Sequence, residues 1–355
     1  MLLDRTQADL SRYTVRRVTM GDLALVNDLY NRCNRSQDGD RPLSEARRLY
    51  VDHPYGEALI LGAFTADNQL AGVLPAIAHR FVSRGLEAPG YQLVDAAVAS
   101  EHRNRGLFGH LVRLLCESAE RESLTVFAFP NERSMSVYRK TGLLQSIGAY
   151  ETRVKVLAWP AYVSFKLGLA GRQSGKEAPA GEGAGLSDGD VSLVPISRFD
   201  QDFKGLHTEM GRVVAHFTLR RKDFLNWRYF GSTEKRYRVA LIRQAERTRG
   251  YVVVRVIDRI AHVIDVFVTP DRLVARRAAS LVARWARRLG AIAVYFRASK
   301  GSIVRRAFVR AGFLFAKQGE EIVLDSKSLE RLTALHGRPV VSADFYFVMG
   351  DGDFY

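Results

Sequence analysis

The chain contains few of the residues that would indicate a secreted, metal-rich or membrane-embedded protein. Its 355 residues include only two cysteines, Cys33 and Cys116, and both lie in helical apolar patterns. Two such thiols exclude a disulfide framework and a cysteine-rich metal centre. No apolar run reaches the roughly 20 residues that a membrane-spanning helix needs. The start carries acidic residues early and lacks the form of a secretion signal. We therefore expect a cytoplasmic protein with two buried thiols and no metal.

Acidic residues are also in deficit. There are 38 Asp and Glu against 53 Lys and Arg, which gives a formal net charge of +15. Such a charge favours an anionic partner, which could be a nucleic acid, a membrane surface or a phosphate-bearing small molecule. A simple arginine-rich composition would give the same total. Because no nucleic-acid recognition motif is evident, we expect a small anionic molecule, with no nucleic acid and no membrane as partner.

The most informative stretch is residues 91–143. An apolar run at residues 93–98 predicts a buried strand, and a basic turn with two glycines follows at residues 103–109. Apolar residues at helical spacing come next, and a second apolar run at residues 124–129 predicts another strand. The order strand, glycine turn, helix, strand is typical of an anion-binding site. The first helical turn offers free backbone N–H groups and the positive end of the helix dipole.

Within this stretch, Arg103-x-x-Gly106-x-Phe108-Gly109 resembles the pyrophosphate loop of the GNAT superfamily of N-acetyltransferases. That loop is usually written Gln/Arg-x-x-Gly-x-Gly/Ala. Phe108 departs from the pattern, and we expect Gly109, one place later, to supply the room that the phenylalanine takes.

A second motif lies downstream and is similar to the superfamily's other acyl-CoA motif, in which an Asn and a Tyr face the cofactor. It is Asn131-x-x-Ser134-x-x-x-Tyr138-x-Lys140-x-Gly142-Leu143. In such enzymes the Tyr protonates the leaving thiolate, and a tyrosine with a pKa of about 10 is suited to that step. The resemblance therefore implies Tyr138 as the general acid.

The resemblance also implies acetyl-CoA or another acyl-CoA as co-substrate. Its pantetheine arm would bond to the backbone of the preceding strand, and its pyrophosphate would lie on the turn. The implied cofactor-binding residues are Ala96, Ala97, Val98, Arg103, Asn104, Arg105, Gly106, Leu107, Phe108, Gly109, Asn131, Ser134 and Tyr138.

The base that deprotonates the amine is less evident. Asp95 lies on the key strand and His216 lies among apolar and basic residues, so both join Tyr138 as catalytic candidates. Each has a structural alternative. Asp95 aligns with Asp265 in the internal repeat described below, whose second copy is expected to be inactive, so a structural role for Asp95 is favoured. His216 also fits a histidine buried in the core. His79 ends a predicted strand and is expected at the surface.

The order of predicted elements recurs after a segment rich in glycine, alanine and serine. Residues 94–143 align without a gap on residues 264–313. We therefore predict an α/β (α+β) protein of two tandem GNAT-like domains, each with a mixed central sheet flanked by helices. Residues 1–171 would form the acyl-CoA-binding domain, in which residues 145–157 complete the sheet. Residues 172–190 would form a flexible linker, and residues 191–355 a degenerate domain.

The aligned segments share the pattern of apolar residues, but the residues implied in cofactor binding and proton transfer differ. Gly106 aligns with Arg276, which would fill the space of a pyrophosphate, and Tyr138 aligns with Phe308, which cannot give up a proton. We therefore expect one working cofactor site.

The predicted activity is transfer of an acyl group, in the first instance acetyl, to a primary amine. The tandem layout resembles sugar N-acyltransferases that act on nucleotide-linked amino sugars for surface polysaccharides, and this resemblance, together with the charge, implies such an acceptor. A non-catalytic acyl-CoA sensor, and acylation of a protein, peptide or tRNA-linked acceptor, remain alternatives.

Overall fold

The computed structural model describes residues 10–34, 39–169, 185–232 and 235–352. Their contacts divide the chain into two compact units. The first unit takes Met1–Arg80, Ala88–Ile147 and Glu321–Val340, and the second takes Phe81–Glu87, Gly148–Glu320 and Val341–Tyr355. Most of the predicted linker, from residue 172 to residue 184, lies outside the described residues. The division at that linker therefore stays a prediction.

The amino-terminal half contains seven strands and four helices in the described part of the chain. They are β1 (Thr14–Arg17), α1 (Leu23–Cys33), α2 (Leu43–Tyr50), β2 (Leu59–Phe64), β3 (Leu70–Ser83), β4 (Leu86–Leu93), β5 (Ala97–Val98), α3 (Leu107–Arg121), β6 (Thr125–Ala128), α4 (Glu132–Thr141) and β7 (Leu144–Val156).

The remaining strands and α-helices of the described chain follow in sequence order. They are α5 (Trp159–Lys166), β8 (Leu186–Asp188), β9 (Val191–Ile196), α6 (Lys204–Gly211), β10 (His216–Thr218), α7 (Lys222–Phe230), β11 (Arg238–Gln244), β12 (Arg247–Ile257), β13 (Ile260–Val268), α8 (Arg272–Arg288), β14 (Ala293–Ser299), α9 (Ile303–Arg310), β15 (Phe315–Asp325), α10 (Ser326–His336) and β16 (Phe345–Tyr346).

The first unit has a mixed sheet with helices on both faces. β1, β2 and β3 are antiparallel neighbours, β5 pairs with β3, and β4 pairs in parallel with β6. Successive strand residues point to opposite faces. On β3, Leu74 packs into the cluster that holds α3, and Ile77 packs into the cluster that holds α1 and α2. This arrangement confirms the predicted α/β class.

The second unit has its own mixed sheet. β9, β11, β12 and β13 are antiparallel neighbours, and β13 pairs in parallel with β14. α8 is amphipathic: apolar residues such as Leu281 are buried, and Arg276 is exposed. The many arginines of this helix therefore do not form part of the core. None of the described helices is long and apolar enough to span a membrane.

Each unit receives a final strand from the other half of the sequence. In the first unit, Val323 and Leu324 of β15 pair antiparallel with β6. In the second unit, β7 pairs antiparallel with β14 along Tyr150–Val156. The residues expected to complete the first sheet thus contribute to the second, because strand pairing depends on partners that are distant in sequence.

Candidate active site

The glycine turn before α3 presents a cluster of backbone N–H groups. Asn104 and Gly106 both adopt positive φ, 61° and 77°, and Gly106 is the residue that immediately precedes the helix. The first intrahelical bond runs from His110 N to Gly106 O at 3.0 Å. The N–H groups of Leu107 and the two residues after it therefore have no carbonyl partner within the helix. No side chain caps this end, and its first turn holds no acidic residue. The turn is thus suited to an anion.

The strand before the turn opens away from its neighbour. β4 and β6 pair in parallel up to Gln92 and Phe127, and no pairing between them is recorded beyond these residues in the part of the chain that the structure describes. Ala97 and Val98 continue as β5, which pairs with β3 along one edge. The edge of residues 96–98 that faces away from β3 can bond to an extended ligand through backbone groups other than Val98 O, which accepts from Arg103 Nε and Cys33 Sγ.

Arg103 ties the turn to this strand. Its Nε donates to Val98 O at 3.0 Å, and the side chain is exposed. Arg105 is half-buried. The two cations thus flank the N–H cluster, where each could attract a phosphate. The main-chain amides would donate the hydrogen bonds that orient it.

Phe108 and Gly109 are accommodated in ways that the sequence did not indicate. The ring of Phe108 packs into the core, with its centroid 5.7 Å from that of Tyr138. A Cβ on Gly109 would lie 3.4 Å from Thr141 Cγ2 and 3.5 Å from Val137 Cγ1. At these distances a Cβ would make ordinary van der Waals contacts, so the packing of α3 against α4 does not require glycine here. The expectation that Gly109 supplies the room taken by Phe108 stays a prediction, and Gly109 contributes an N–H to the first turn.

α4 holds the second motif. Asn131 precedes the helix, and its side-chain oxygen accepts from Ser134 N at 3.0 Å, as expected for a helix cap. This bond uses the carbonyl oxygen, so the Nδ2 group can donate to a ligand. Tyr138 lies two turns further along the same face and is 3% exposed. The contact with Phe108 brings Tyr138 next to the helix that begins at the glycine turn.

Asp95 is held by two donors. Arg41 Nη1 and Tyr50 OH each lie 2.5 Å from Asp95 Oδ2, and Arg41 Nη1 also lies 3.2 Å from Tyr50 OH. Burial, together with the negative charge of Asp95, raises the pKa of Tyr50 well above its usual range, so the phenol remains a donor. This Arg–Tyr–Asp trio fastens the segment before α2 to the end of β4. These contacts favour the structural role for Asp95 over the catalytic one.

A pair of substitutions distinguishes the two roles. We expect Asp95→Asn and Arg41→Gln each to lower the free energy of unfolding by about 3 kcal/mol, because each leaves a partner without its counter-charge. Urea unfolding measures this loss. At saturating substrates, kcat of the folded Asp95→Asn protein should stay within about 3-fold of wild type; a general base would cost at least about 100-fold.

His216 lies in the second unit, on β10. It is 2% exposed, and its ring centroid lies 4.7 Å from that of Phe345. β10 runs antiparallel to the end of β3 and parallel to β16. These surroundings are those of a core histidine, which was the alternative that the sequence left open.

Two polar residues escaped the sequence analysis. His79 was expected at the surface, but it is 2% exposed because β3 continues to Ser83, and this expectation is wrong. Its ring centroid lies 5.2 Å from that of Phe127. Gln92 on β4 is 1% exposed. Alternation along β3 could have revealed the buried position of His79, since it shares a face with Ile77.

The corresponding turn of the second unit is closed by a carboxylate. Asp271 caps α8 and accepts from Leu273 N at 2.8 Å and Val274 N at 3.1 Å. Arg276 is exposed and is the fifth residue of α8, so it does not stand before the helix as Gly106 does, and the expectation that its side chain fills the cradle is wrong. The first-turn amides are instead occupied by a negative group of the chain itself. Phe308 is buried and stacks on Phe296 at 3.9 Å.

Comparison with known proteins agrees with this geometry. Residues 14–144 match the family model described as the acetyltransferase (GNAT) domain. No curated protein matches the chain significantly.

Solved structures share the fold at low identity. A probable N-acyltransferase from Enterococcus faecalis has a TM-score of 0.61 and 13% identity, with 88% of this chain and 71% of that one covered. A GCN5-related N-acetyltransferase from Anabaena variabilis has a TM-score of 0.63 and 12% identity, with 88% and 72% covered. The N-myristoyltransferase of Saccharomyces cerevisiae, solved with myristoyl-CoA, has a TM-score of 0.56 and 10% identity, with 89% and 83% covered.

The fold and the glycine turn therefore define a GNAT domain in the amino-terminal part of the chain. The matched domain supports acyl transfer with an acyl-CoA as co-substrate.

Proposed function

We propose that this protein transfers the acyl group of an acyl-CoA, in the first instance acetyl-CoA, to a primary amine in its first unit. One observation supports this most directly: α3 begins at Gly106 with uncapped amides, and Phe108 of its first turn contacts the buried Tyr138. Under this proposal the diphosphate lies on the N–H groups of residues 107–109. The pantetheine arm follows the edge of residues 96–98 that faces away from β3.

The reaction would then proceed by direct attack. The amine nitrogen forms a bond to the thioester carbonyl carbon, and a tetrahedral intermediate results. Backbone N–H groups near residues 96–98 would stabilise its oxyanion. The carbon–sulfur bond then breaks, and the thiolate takes a proton from Tyr138, which regains one from solvent. The ammonium loses one proton to solvent before attack, and the bonded nitrogen loses a second proton to solvent as the intermediate collapses. The products are an amide and the free thiol of coenzyme A.

The second unit is proposed to be a GNAT-like domain without a cofactor site. Its elements follow the order of the first unit, and it repeats the trio described above. Arg220 and Tyr229 have the spacing of Arg41 and Tyr50, and Tyr229 OH lies 2.8 Å from Asp265 Oδ2. Arg220 Nη2 lies 3.5 Å from Asp265 Oδ1. The carboxylate of Asp271 would compete with a phosphate at its helix terminus.

For the acceptor, we propose a small anionic molecule with a primary amine, such as a nucleotide-linked amino sugar. The support is the net charge of +15. A protein, peptide or tRNA-linked amine is the second candidate, and a sensor without turnover is the third. Inhibition by added polyanions would favour a tRNA-linked acceptor, since a small amino sugar needs far fewer charge contacts.

Calorimetry with acetyl-CoA, followed by a thiol-release assay with a panel of primary amines, tests the proposal. We expect one binding site per chain and release of coenzyme A thiol that depends on an amine. Absence of binding by acetyl-CoA and by longer acyl-CoAs would contradict the proposal. Binding without thiol release for any amine would favour the sensor.

A further inference from the structure

Gln92 has a buried carboxamide that makes no hydrogen bond to the residues that the structure describes. The residue is 1% exposed, and both Oε1 and Nε2 are buried without a partner among the residues that the structure describes. A buried amide that loses its bonds to water and gains none in return is destabilising. Such a group persists in a core when a ligand supplies the missing partners.

Its position on β4 is where the two parallel strands separate. Gln92 pairs with Phe127, the last pair recorded between β4 and β6. On the other side, Val94 N donates to Pro75 O at 3.1 Å, which places Gln92 across from Ile77 on antiparallel β3. Gln92 therefore lies at the closed end of the gap between β4 and β6.

The side chain points to the face opposite α3. Ile77 and Val94 pack into the cluster of α1 and α2, and Gln92 shares their face because strand residues alternate. Other polar rings lie nearby. His79 contacts Phe127, and the ring centroid of His53 lies 6.2 Å from that of His79. The helix terminus suited to a diphosphate and the Gln92 amide are thus on opposite faces of the sheet, and Gln92 lies where the recorded pairing of β4 with β6 ends.

We propose that Gln92 is a substrate-binding residue that both donates a hydrogen bond to, and accepts one from, a group at the point of acyl transfer. The group has the chemistry of an amide, with one donor and one acceptor. It could come from the pantetheine arm of the donor or from the atoms beside the acceptor amine. The inference rests on the proposed acyl transfer, and it adds a residue that binds the substrate from the sheet face covered by α1 and α2.

Gln92→Met tests this, because methionine nearly matches glutamine in shape and needs no hydrogen bonds. We expect the melting temperature without ligand to rise by roughly 2–6 °C, since the cost of the unpaired amide disappears. A pantetheine contact predicts an acetyl-CoA Kd at least about 10-fold higher. An acceptor contact predicts an unchanged Kd and loss of at least about 10-fold in the preference for glycinamide over ethylamine in thiol release.

Gln69→Met is the matched control, because Gln69 is an exposed glutamine of the same unit. It should leave the melting temperature, the Kd and the amine preference unchanged. Gln92→Leu provides a second apolar variant if methionine packs poorly. A fall in melting temperature for both Gln92 variants, or wild-type Kd and amine preference in both, overturns the proposal. Failure of the proposed function would instead show in the wild-type protein, as absence of acyl-CoA binding.

Discussion

Gly106→Val is expected to raise the Kd for acetyl-CoA by about 100-fold or more. Gly106 has a φ of 77°, which a β-branched residue tolerates poorly, so the turn must move. Two or three charge-assisted bonds from the N–H groups of residues 107–109 would then be lost or misaligned. At about 1.5–3 kcal/mol each, loss of even one or two accounts for this change. Isothermal calorimetry measures the effect.

The control for this substitution is Gly337→Val. Gly337 has a φ of 66° at the end of α10, and a Cβ there would meet nothing within 4 Å. The two variants thus share the backbone strain and differ in their distance from the proposed ligand. Both should lower the melting temperature, but only Gly106→Val should weaken acetyl-CoA. Equal affinity in the two variants would show that the diphosphate does not lie at this turn.

Tyr138→Phe is expected to lower kcat by about 10–1000-fold. The phenol would no longer protonate the thiolate as the carbon–sulfur bond breaks. The ring, which packs against Phe108, would remain in place. The Kd for acetyl-CoA should therefore change by less than about 3-fold. Steady-state thiol release and calorimetry on the same preparation separate the two quantities.

Tyr91→Phe is the matched variant for this test. Tyr91 is a half-buried tyrosine that packs against the same hydrophobic cluster, on β4. Removal of its hydroxyl should leave kcat within about 2-fold of wild type. If Tyr138→Phe also keeps a wild-type kcat, then Tyr138 is a packing residue and another group or a water protonates the thiolate.

The local features of the first unit were predictable because they depend on short-range chemistry. A helix that follows a glycine turn and a helix capped by Asn131 both follow from the sequence over a few residues. The short apolar runs at residues 93–98 and 124–129 indicated the strands that lie before and after α3, where the structure has β5 and β6. The α/β class and the similarity to GNAT enzymes follow from these elements together.

The same local reasoning failed where a side chain meets a distant partner. Asp95 is on the predicted strand, but its bonds to Arg41 and Tyr50 join residues that are 54 and 45 positions apart. Nothing in the sequence around Asp95 indicates which group will neutralise it. Gln92 was not noticed, because a single glutamine in an apolar run becomes informative only when its neighbours on three strands are known.

The sequence by itself indicated the helices and strands around the glycine turn and the helix terminus that a phosphate is predicted to approach, since periodicity, glycine and caps act within a few residues. The tertiary structure alone decided which strands pair. It placed residues of β15 beside β6 and residues of β7 beside β14. It also showed that Asp271, not Arg276, closes the second turn. These outcomes depend on packing between segments that are far apart in the chain, where side-chain burial and backbone hydrogen bonding are satisfied together.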